Sequence, residues 1–306
     1  MAIIIPTKDR PEKVKKLLSS ISKQTLLCGR IIIVDSGADI ESVVNDFINV
    51  LPVEYYRSSK QGQIYQRNFG ISFLDEKTKL VCFLDDDIVL EPEAIASMIL
   101  FWNDCESETA GVSFNIVNNP PFKHTLLKAF IGMSAPQQGR VLASGYNVTI
   151  SPVNKNIRTQ WLCGGATVWR KEILDKFTNK EVSSKWAVCE DVIFSYPIGK
   201  KYPLYVCGDA KVRHEHVFDY NVKMKYRYSG KIVTLWRLHF VESNPELSQL
   251  LYFWMVSWEI VIRLVKGLFL LRSQEIQYAS GQIEGVIQGS IAKFNGKGLL
   301  DLLNDA

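Results

Sequence analysis

Leu80-Val81-Cys82-Phe83-Leu84-Asp85-Asp86-Asp87-Ile88-Val89-Leu90-Glu91-Pro92 is the stretch on which the reading of this chain turns. The apolar run Leu80 to Leu84 predicts a buried strand, and three carboxylates stand where it should end. Adjacent carboxylates repel one another and raise the cost of keeping each ionised unless something neutralises them. Hard oxygen ligands of this kind suit Mg²⁺ or Mn²⁺. The C-terminal ends of strands in open α/β sheets are also where ligands collect. One reading is a metal that clamps a phosphate group. The other is an acidic turn leading into a helix near Pro92, since Asp and Pro favour helix starts.

Toward the N-terminus the pattern alternates. Ala2 to Ile5 predicts a short buried strand, and Thr7-Lys8-Asp9-Arg10-Pro11 a turn into a helix through about Lys23, with Val14, Leu17, Leu18 and Ile21 at helical spacing. Arg30 to Val34 predicts a second strand, apolar throughout as a strand covered on both faces should be. It stops at Asp35-Ser36-Gly37. A helix is expected from about Ile40 to Ile48, a strand over Val53 to Arg57, and a loop and helix over Gln61 to Leu74. Strands alternating with helices at this rhythm predict βαβ units and a mainly parallel, Rossmann-like sheet flanked by helices.

Beyond Pro92 a helix to about Trp102 and a strand over Gly111 to Val117 are expected. Asn118 to Gln160 is broken by Pro120, Pro121, Pro136, Gly139 and Gly145, which predicts an irregular stretch. Structure should resume at Trp161 to Arg170, with a helix from Lys171 and a second acidic pair at Glu190-Asp191. Leu204 to Val206 and Ala210 to Val212 read as two short strands, the second leading into His214-Glu215-His216.

Leu250 to Leu271 is long and apolar enough to span a bilayer, but it contains Glu259, Arg263 and Lys266 on one helix face. Trp254, Trp258 and Phe269 lie largely elsewhere around the wheel. That pattern predicts an amphipathic helix rather than a transmembrane one, either at a lipid interface or packed on protein.

The chain has 306 residues, 47% hydrophobic and 22% charged, enough for a substantial core. A formal net charge of +4 gives no case for a nucleic-acid partner. Six cysteines without a CxxC pair read as free thiols of a reducing compartment, and no secretory leader is read ahead of the first strand. A cytoplasmic location is therefore expected. Asn147-Val148-Thr149 is a glycosylation sequon by spelling only.

Taken in order, these segments resemble glycosyltransferase family 2, enzymes of the A-type glycosyltransferase (GT-A) fold. The resemblance covers about residues 1 to 216 and rests on IPTKDRPEKVKKLLSSI, IIIVDSGADIE, QGQIYQRNFGI, FLDDDIVLEPEAI, WLCGGATVWRKEIL and the CED triplet. It implies an inverting transfer from a nucleoside diphosphate sugar to an acceptor hydroxyl, with a divalent metal (Mn²⁺ or Mg²⁺); the amphipathic C-terminal helix suggests that the acceptor is a glycan or lipid-linked glycan of surface polysaccharide synthesis. By position the resemblance implies Asp35 at the nucleobase, with Thr7, Asp9, Arg10 and Arg67 on the nucleotide side. Asp85 would face the ribose or the metal shell, and Asp87 would bind the metal. Asp86, grouped with the nucleotide side, is the middle residue and reads as a bystander or turn former.

Asp191 is implied as general base, with Glu190 as the alternative. His214 is implied to complete the metal shell, and His216 would share its face if both lie on a strand. Gly164 and Gly165 would let backbone approach the donor sugar, and Trp161 and Trp186 could stack on a sugar. For both tryptophans burial in a core is the commoner fate; His124 and His239 carry no functional reading. The sequence departs from the family in carrying Asp35-Ser36-Gly37 where two adjacent Asp residues are frequent, and 118–160 has no counterpart.

The expected organisation is a catalytic domain over 1–216 (nucleotide half about 1–117, acceptor half about 118–216). A helical extension over 217–306 would be membrane-associating or oligomerising, with a peripheral membrane contact through 245–272. Two other functions compete: a sugar-nucleotide nucleotidyltransferase and a non-catalytic carbohydrate-binding protein on the same fold. The first wants a Gly-rich basic loop after strand one, which Pro6-Thr7-Lys8-Asp9 is not.

Overall fold

The computed structural model describes residues 1–181, 189–215 and 223–304. Its chain forms two compact units: unit 1 is Met1–Phe122, Ile150–Glu181 and Phe194–His216, and unit 2 is Lys123–Thr149, Val182–Ile193 and Val217–Ala306. The expected division at residue 216 runs along the chain, whereas among the described residues 123–149 and 189–193 group with the C-terminal helices.

Unit 1 is built on strands β1 (Ala2–Thr7), β2 (Arg30–Asp35), β3 (Val53–Arg57), β4 (Leu80–Leu84), β5 (Ile88–Leu90), β6 (Gly111–Ile116), β7 (Ile157–Thr159), β8 (Ala166–Arg170) and β9 (Leu204–His214). They form one sheet in the order β3-β2-β1-β4-β8-β6-β9-β5, with β7 added on β9. Its first half, β3-β2-β1-β4, is parallel, as the alternating pattern requires. Beyond β4 the pairing is mixed, with β8 antiparallel to both β4 and β6. Side chains alternate between faces: Ile3, Ile5, Ile31 and Ile33 join one core cluster, while Ile4, Ile32 and Val34 join another on the opposite face. Burial on both sides is why β1 and β2 read as uninterrupted apolar runs.

Helices α1 (Pro11–Ile21), α2 (Glu41–Asn45), α3 (Gln63–Ile71), α4 (Ala94–Asp104) and α6 (Lys171–Lys176) also belong to unit 1. The first two are shorter than the periodicity predicts. Sequence reading also missed β5, whose three residues are too few to show a period between an acidic turn and Pro92. The two short strands expected over 204–212 are one continuous β9. The gap between them is absorbed as a register shift against β6 between Phe114 and Asn115. The Asn115 amide holds that shift by donating to the Gly208 and Val153 carbonyls, each at 2.7 Å.

Unit 2 contains α5 (Leu126–Phe130), lying inside the stretch expected to be irregular, then α8 (Lys223–Glu242), α9 (Gln249–Phe269), α10 (Ser273–Phe294) and α11 (Leu299–Asn304). Helix α7 (Glu190–Gly199) crosses the boundary between units. Helices α8 and α10 approach backbone to backbone through Gly230, Gly281 and Gly285. A Cβ at Gly281 would stand 1.8 Å from the Arg227 carbonyl oxygen. Ile232, Leu235, Trp236, Tyr252, Met255 and Leu303 fill the core of this unit. The six cysteines are free thiols. Among the described residues no helix is long and apolar enough to cross a membrane.

Candidate active site

The three acids follow β4 and occupy the turn into β5, so their placement follows from strand pairing. β5 runs antiparallel to β9 with Ile88 opposite His214, which sets the last residue of β9 beside the acidic turn. The Glu215 N–H donates to the Asp87 carbonyl at 2.8 Å and closes that corner. Lys13 and Lys16 of α1 reach Glu215, and Asn118 exchanges two 2.9 Å hydrogen bonds with the His214 backbone. His214 is therefore anchored on several sides before any ligand is considered.

One ligand atom each from Asp85, Asp87 and His214 lies within 4.8 Å of the others. His214 Nε2 is 3.0 Å from an Asp87 carboxylate oxygen. That hydrogen bond, ahead of the opposing effect of burial, raises the imidazole pKa above its ordinary value. Two carboxylates and an imidazole form a mixed hard-donor set that fits Mn²⁺ or Mg²⁺. The expectation for Asp87 and His214 as metal ligands thus has a geometric basis, and Asp85 joins them.

Asp85 is held from its other side. Arg67 Nη2 donates to its carboxylate at 2.8 Å and to the Gly164 carbonyl at 3.1 Å, and the Gln63 amide reaches the same carboxylate oxygen as Arg67. Both side chains come from α3, whose start depends on Gly62 at φ +132°, backbone that a side chain rarely adopts. Gln63 escaped sequence reading because an amide before a helix has no chemical signature of its own. Gly165 accepts the Asp85 N–H at 2.8 Å, and a Cβ there would lie 2.8 Å from the Asp85 carboxylate and 3.7 Å from the His214 ring. Gly164-Gly165 thus backs the acid cluster, a tighter role than the expected room for a sugar. Gly165→Ala should weaken Mn²⁺ binding roughly tenfold or more by displacing a carboxylate held by two other groups. Its melting temperature without metal should change little; calorimetric Mn²⁺ titration beside a thermal melt checks both.

Asp86 is no bystander. Its buried carboxylate accepts from the Thr7 hydroxyl at 2.8 Å and from Arg10 at 3.0 Å, tying the end of β1 to the acidic turn. Burial raises its pKa, opposed by the Thr7 hydrogen bond and the Arg10 charge. Thr7 and Arg10, expected on the nucleotide side, are thus engaged in positioning the acids, and Arg10 also lies 3.5 Å from Asp87. Asp9 adopts φ 55°, and its carboxylate accepts the Ala38 N–H at 2.7 Å, locking the turn after β1 against the turn after β2.

Asp35 is fully buried. Its carboxylate accepts the Tyr55 hydroxyl and the Gly37 N–H, each at 2.8 Å, and pairs with Arg57. Burial then pushes the Tyr55 hydroxyl up to about 12. The Asp35 carboxylate, expected at the nucleobase, here shapes the 35–37 turn and orients Arg57. Trp161 is a buried core ring with 5% exposure and presents no open face for stacking. Trp186 and His216 lie outside the described residues. Glu190 and Asp191 occupy the first turn of α7, where acidic side chains complement the helix dipole, and they belong to unit 2.

The family model described as Glycosyl transferase family 2 matches residues 2–177, more than half the chain. The chain belongs to glycosyl transferase family 2. Its mixed α/β fold with a central sheet, flanking helices and a helical C-terminal region is that of GT-A glycosyltransferases. The mannosyltransferase PcManGT from Pyrobaculum calidifontis, solved with GDP-Man and Mn²⁺, is 12% identical with a TM-score of 0.56, covering 93% of this chain and 86% of its own. S. aureus TarS 1-349, solved with UDP, is 13% identical with a TM-score of 0.53, covering 94% and 91% respectively. A longer S. aureus TarS structure is 17% identical with a TM-score of 0.50, and the match covers 76% of this family 2 chain but only 39% of TarS. At these identities the likeness speaks for the fold. No curated protein sequence matches the chain.

Proposed function

We propose that this protein transfers a sugar, with inversion, from a nucleoside diphosphate sugar to a hydroxyl of a glycan or lipid-linked glycan. The observation that carries the reading is the Asp85–Asp87–His214 set at the strand end, braced by Arg67 and Gly165. A divalent cation held there would neutralise charge developing on the departing diphosphate, as a Lewis acid does. The 35–37 turn with Arg57 would meet the nucleobase, and Arg67 would keep Asp85 aimed.

In the chemical step the acceptor oxygen bonds to the anomeric carbon. The bond from that carbon to the diphosphate oxygen breaks, and its electron pair leaves with the nucleotide. Asp191 takes the acceptor proton, with Glu190 as the alternative base. A general base typically contributes about 10²–10⁴-fold, so Asp191→Asn should cut transfer by that order while leaving donor binding near wild type. Rapid-mix turnover and donor titration would separate the two effects.

The testing experiment is a thermal-shift panel of nucleoside diphosphates and sugar nucleotides with Mn²⁺, followed by assay for released nucleoside diphosphate. Mn²⁺ is the first ion to try because PcManGT was solved with it. Stabilisation by a sugar nucleotide together with nucleoside diphosphate release supports the reading. Release of pyrophosphate from a nucleoside triphosphate and a sugar phosphate would replace it with nucleotidyl transfer. Binding without turnover on any acceptor would leave a carbohydrate-binding protein. We place the enzyme in surface polysaccharide synthesis, cytoplasmic and peripheral on a membrane; the exposed apolar side chains of α9 support the last point.

A further inference from the structure

Helix α9 carries its charged stripe inward. Glu259 is 8% exposed and pairs with Arg263, which also pairs with Glu275 of α10. The opposite stripe, Leu250, Trp254, Trp258, Val265, Leu268 and Phe269, faces outward, with exposures from 38% to 83%. These positions repeat at helical spacing and form one face. Helix α5 extends it: Leu126, Leu127 and Phe130 are 84%, 69% and 67% exposed. The Trp254 indole N–H donates to the Phe130 carbonyl at 3.2 Å, and the two rings meet edge-on with centroids 5.5 Å apart. The two helices therefore present a continuous apolar surface, larger than scattered exposure accounts for.

The exposed charged side chains that α5 and α9 themselves carry are positive, with Glu246 exposed just ahead of α9. Residues 123–149 include Lys123, Lys128 and Arg140 and no carboxylate side chain. Within 249–272 the single acid, Glu259, is buried against Arg263, which leaves Lys266 and Arg272 exposed. A second copy docked through this face about a two-fold axis would bring like charges together at the rim. An anionic lipid surface would neutralise them, and indole rings with one polar edge suit the boundary between headgroups and acyl chains.

We propose that the α5–α9 face docks this protein on an anionic lipid bilayer, with Trp254, Trp258 and Phe130 inserted at the headgroup boundary and Lys128 and Arg272 on the headgroups. The proposal deepens the peripheral-membrane part of the functional reading by naming the lipid charge and a second element, α5. It rests on unit 2 alone.

The test is flotation of the full chain with vesicles of phosphatidylglycerol and phosphatidylcholine against phosphatidylcholine alone. The protein should rise with the anionic vesicles, show blue-shifted tryptophan emission, and be released by high salt. Combined Trp254→Ser and Phe130→Ser should lower the bound fraction by about tenfold or more, because inserted apolar area drives the binding. Lys128→Glu with Arg272→Glu, a second variant at exposed positions, should selectively weaken binding to anionic vesicles with an unchanged thermal melt. Protein left at the bottom with both vesicle types overturns the proposal, as does flotation that neither variant alters. A dimer by light scattering that Trp254→Ser dissociates, with no flotation, would assign the face to a second copy. Asp87→Ala should float like wild type, so failure of the lipid proposal and failure of the transferase reading are told apart.

Discussion

Asp87→Ala abolishes Mn²⁺-dependent release of nucleoside diphosphate, by a factor of at least about 10², while the protein still melts cooperatively. The magnitude follows from removing a proposed metal ligand where leaving-group charge would develop, a contribution of several kcal/mol in sites of this class. Asp87 is buried, within hydrogen-bond reach of His214 at 3.0 Å and 3.5 Å from Arg10, so its loss removes one partner from each. A positively charged Arg10 beside a half-empty donor set further disfavours a cation. Asp86→Asn is the informative comparison, because the Asp86 carboxylate bonds Thr7 and Arg10 and lies outside the three-ligand set. It should cost stability and leave Mn²⁺ affinity within a few-fold of wild type. Calorimetric Mn²⁺ titration and a product assay on both variants decide the matter. Equal loss of metal affinity in the two would mean that the acidic turn acts as one structural unit with no assigned ligands.

Glu259→Ala destabilises unit 2 by about 3–5 kcal/mol, the usual cost of removing one partner from a buried ion pair. The Glu259 side chain is 11% exposed; it sits 3.0 Å from Arg263 and 4.0 Å from Arg237, whose own side chain is 13% exposed. Arg263 also lies over the Tyr278 ring at 3.9 Å, and Arg237 over the Tyr146 ring at 5.2 Å. Removing the carboxylate leaves two guanidinium groups in a largely dry setting with less negative charge to answer them. Glu259→Gln, which keeps the shape and one acceptor, should fall between wild type and Ala. Urea unfolding followed by tryptophan emission reads the difference. A loss below about 1 kcal/mol, the range of surface pairs, would mean that water reaches this cluster.

These two sites were legible to different degrees. The acidic turn could be read because a buried apolar run ending in three carboxylates has few physical explanations, and a histidine after a later strand gave it a candidate partner. The role of Asp86 could not be read, because three identical side chains in a row differ only in what each turn position faces. Gln63 and Gly165 stayed hidden for a related reason: their effect on Asp85 depends on α3 and β8 being brought to β4, and neither residue signals that in its own neighbourhood. On α9 the periodicity revealed two faces but not which one turns inward. Charged residues usually face water, yet here Arg237 and Arg263 gather around Glu259, Glu275 pairs with Arg263, and that stripe turns inside.

The alternation of apolar strands with amphipathic helices determined the α/β class, the parallel pairing of its βαβ units, and the acids at a strand end. Those features follow from side-chain period and local burial, which are written residue by residue. Pairing across long sequence separation was decided only in three dimensions: β5 on β9, which carries His214 to Asp87 across more than a hundred residues, and 123–149 packing with the C-terminal helices. Such contacts depend on which surfaces find complementary partners once the chain has collapsed, and no local window of sequence contains that information.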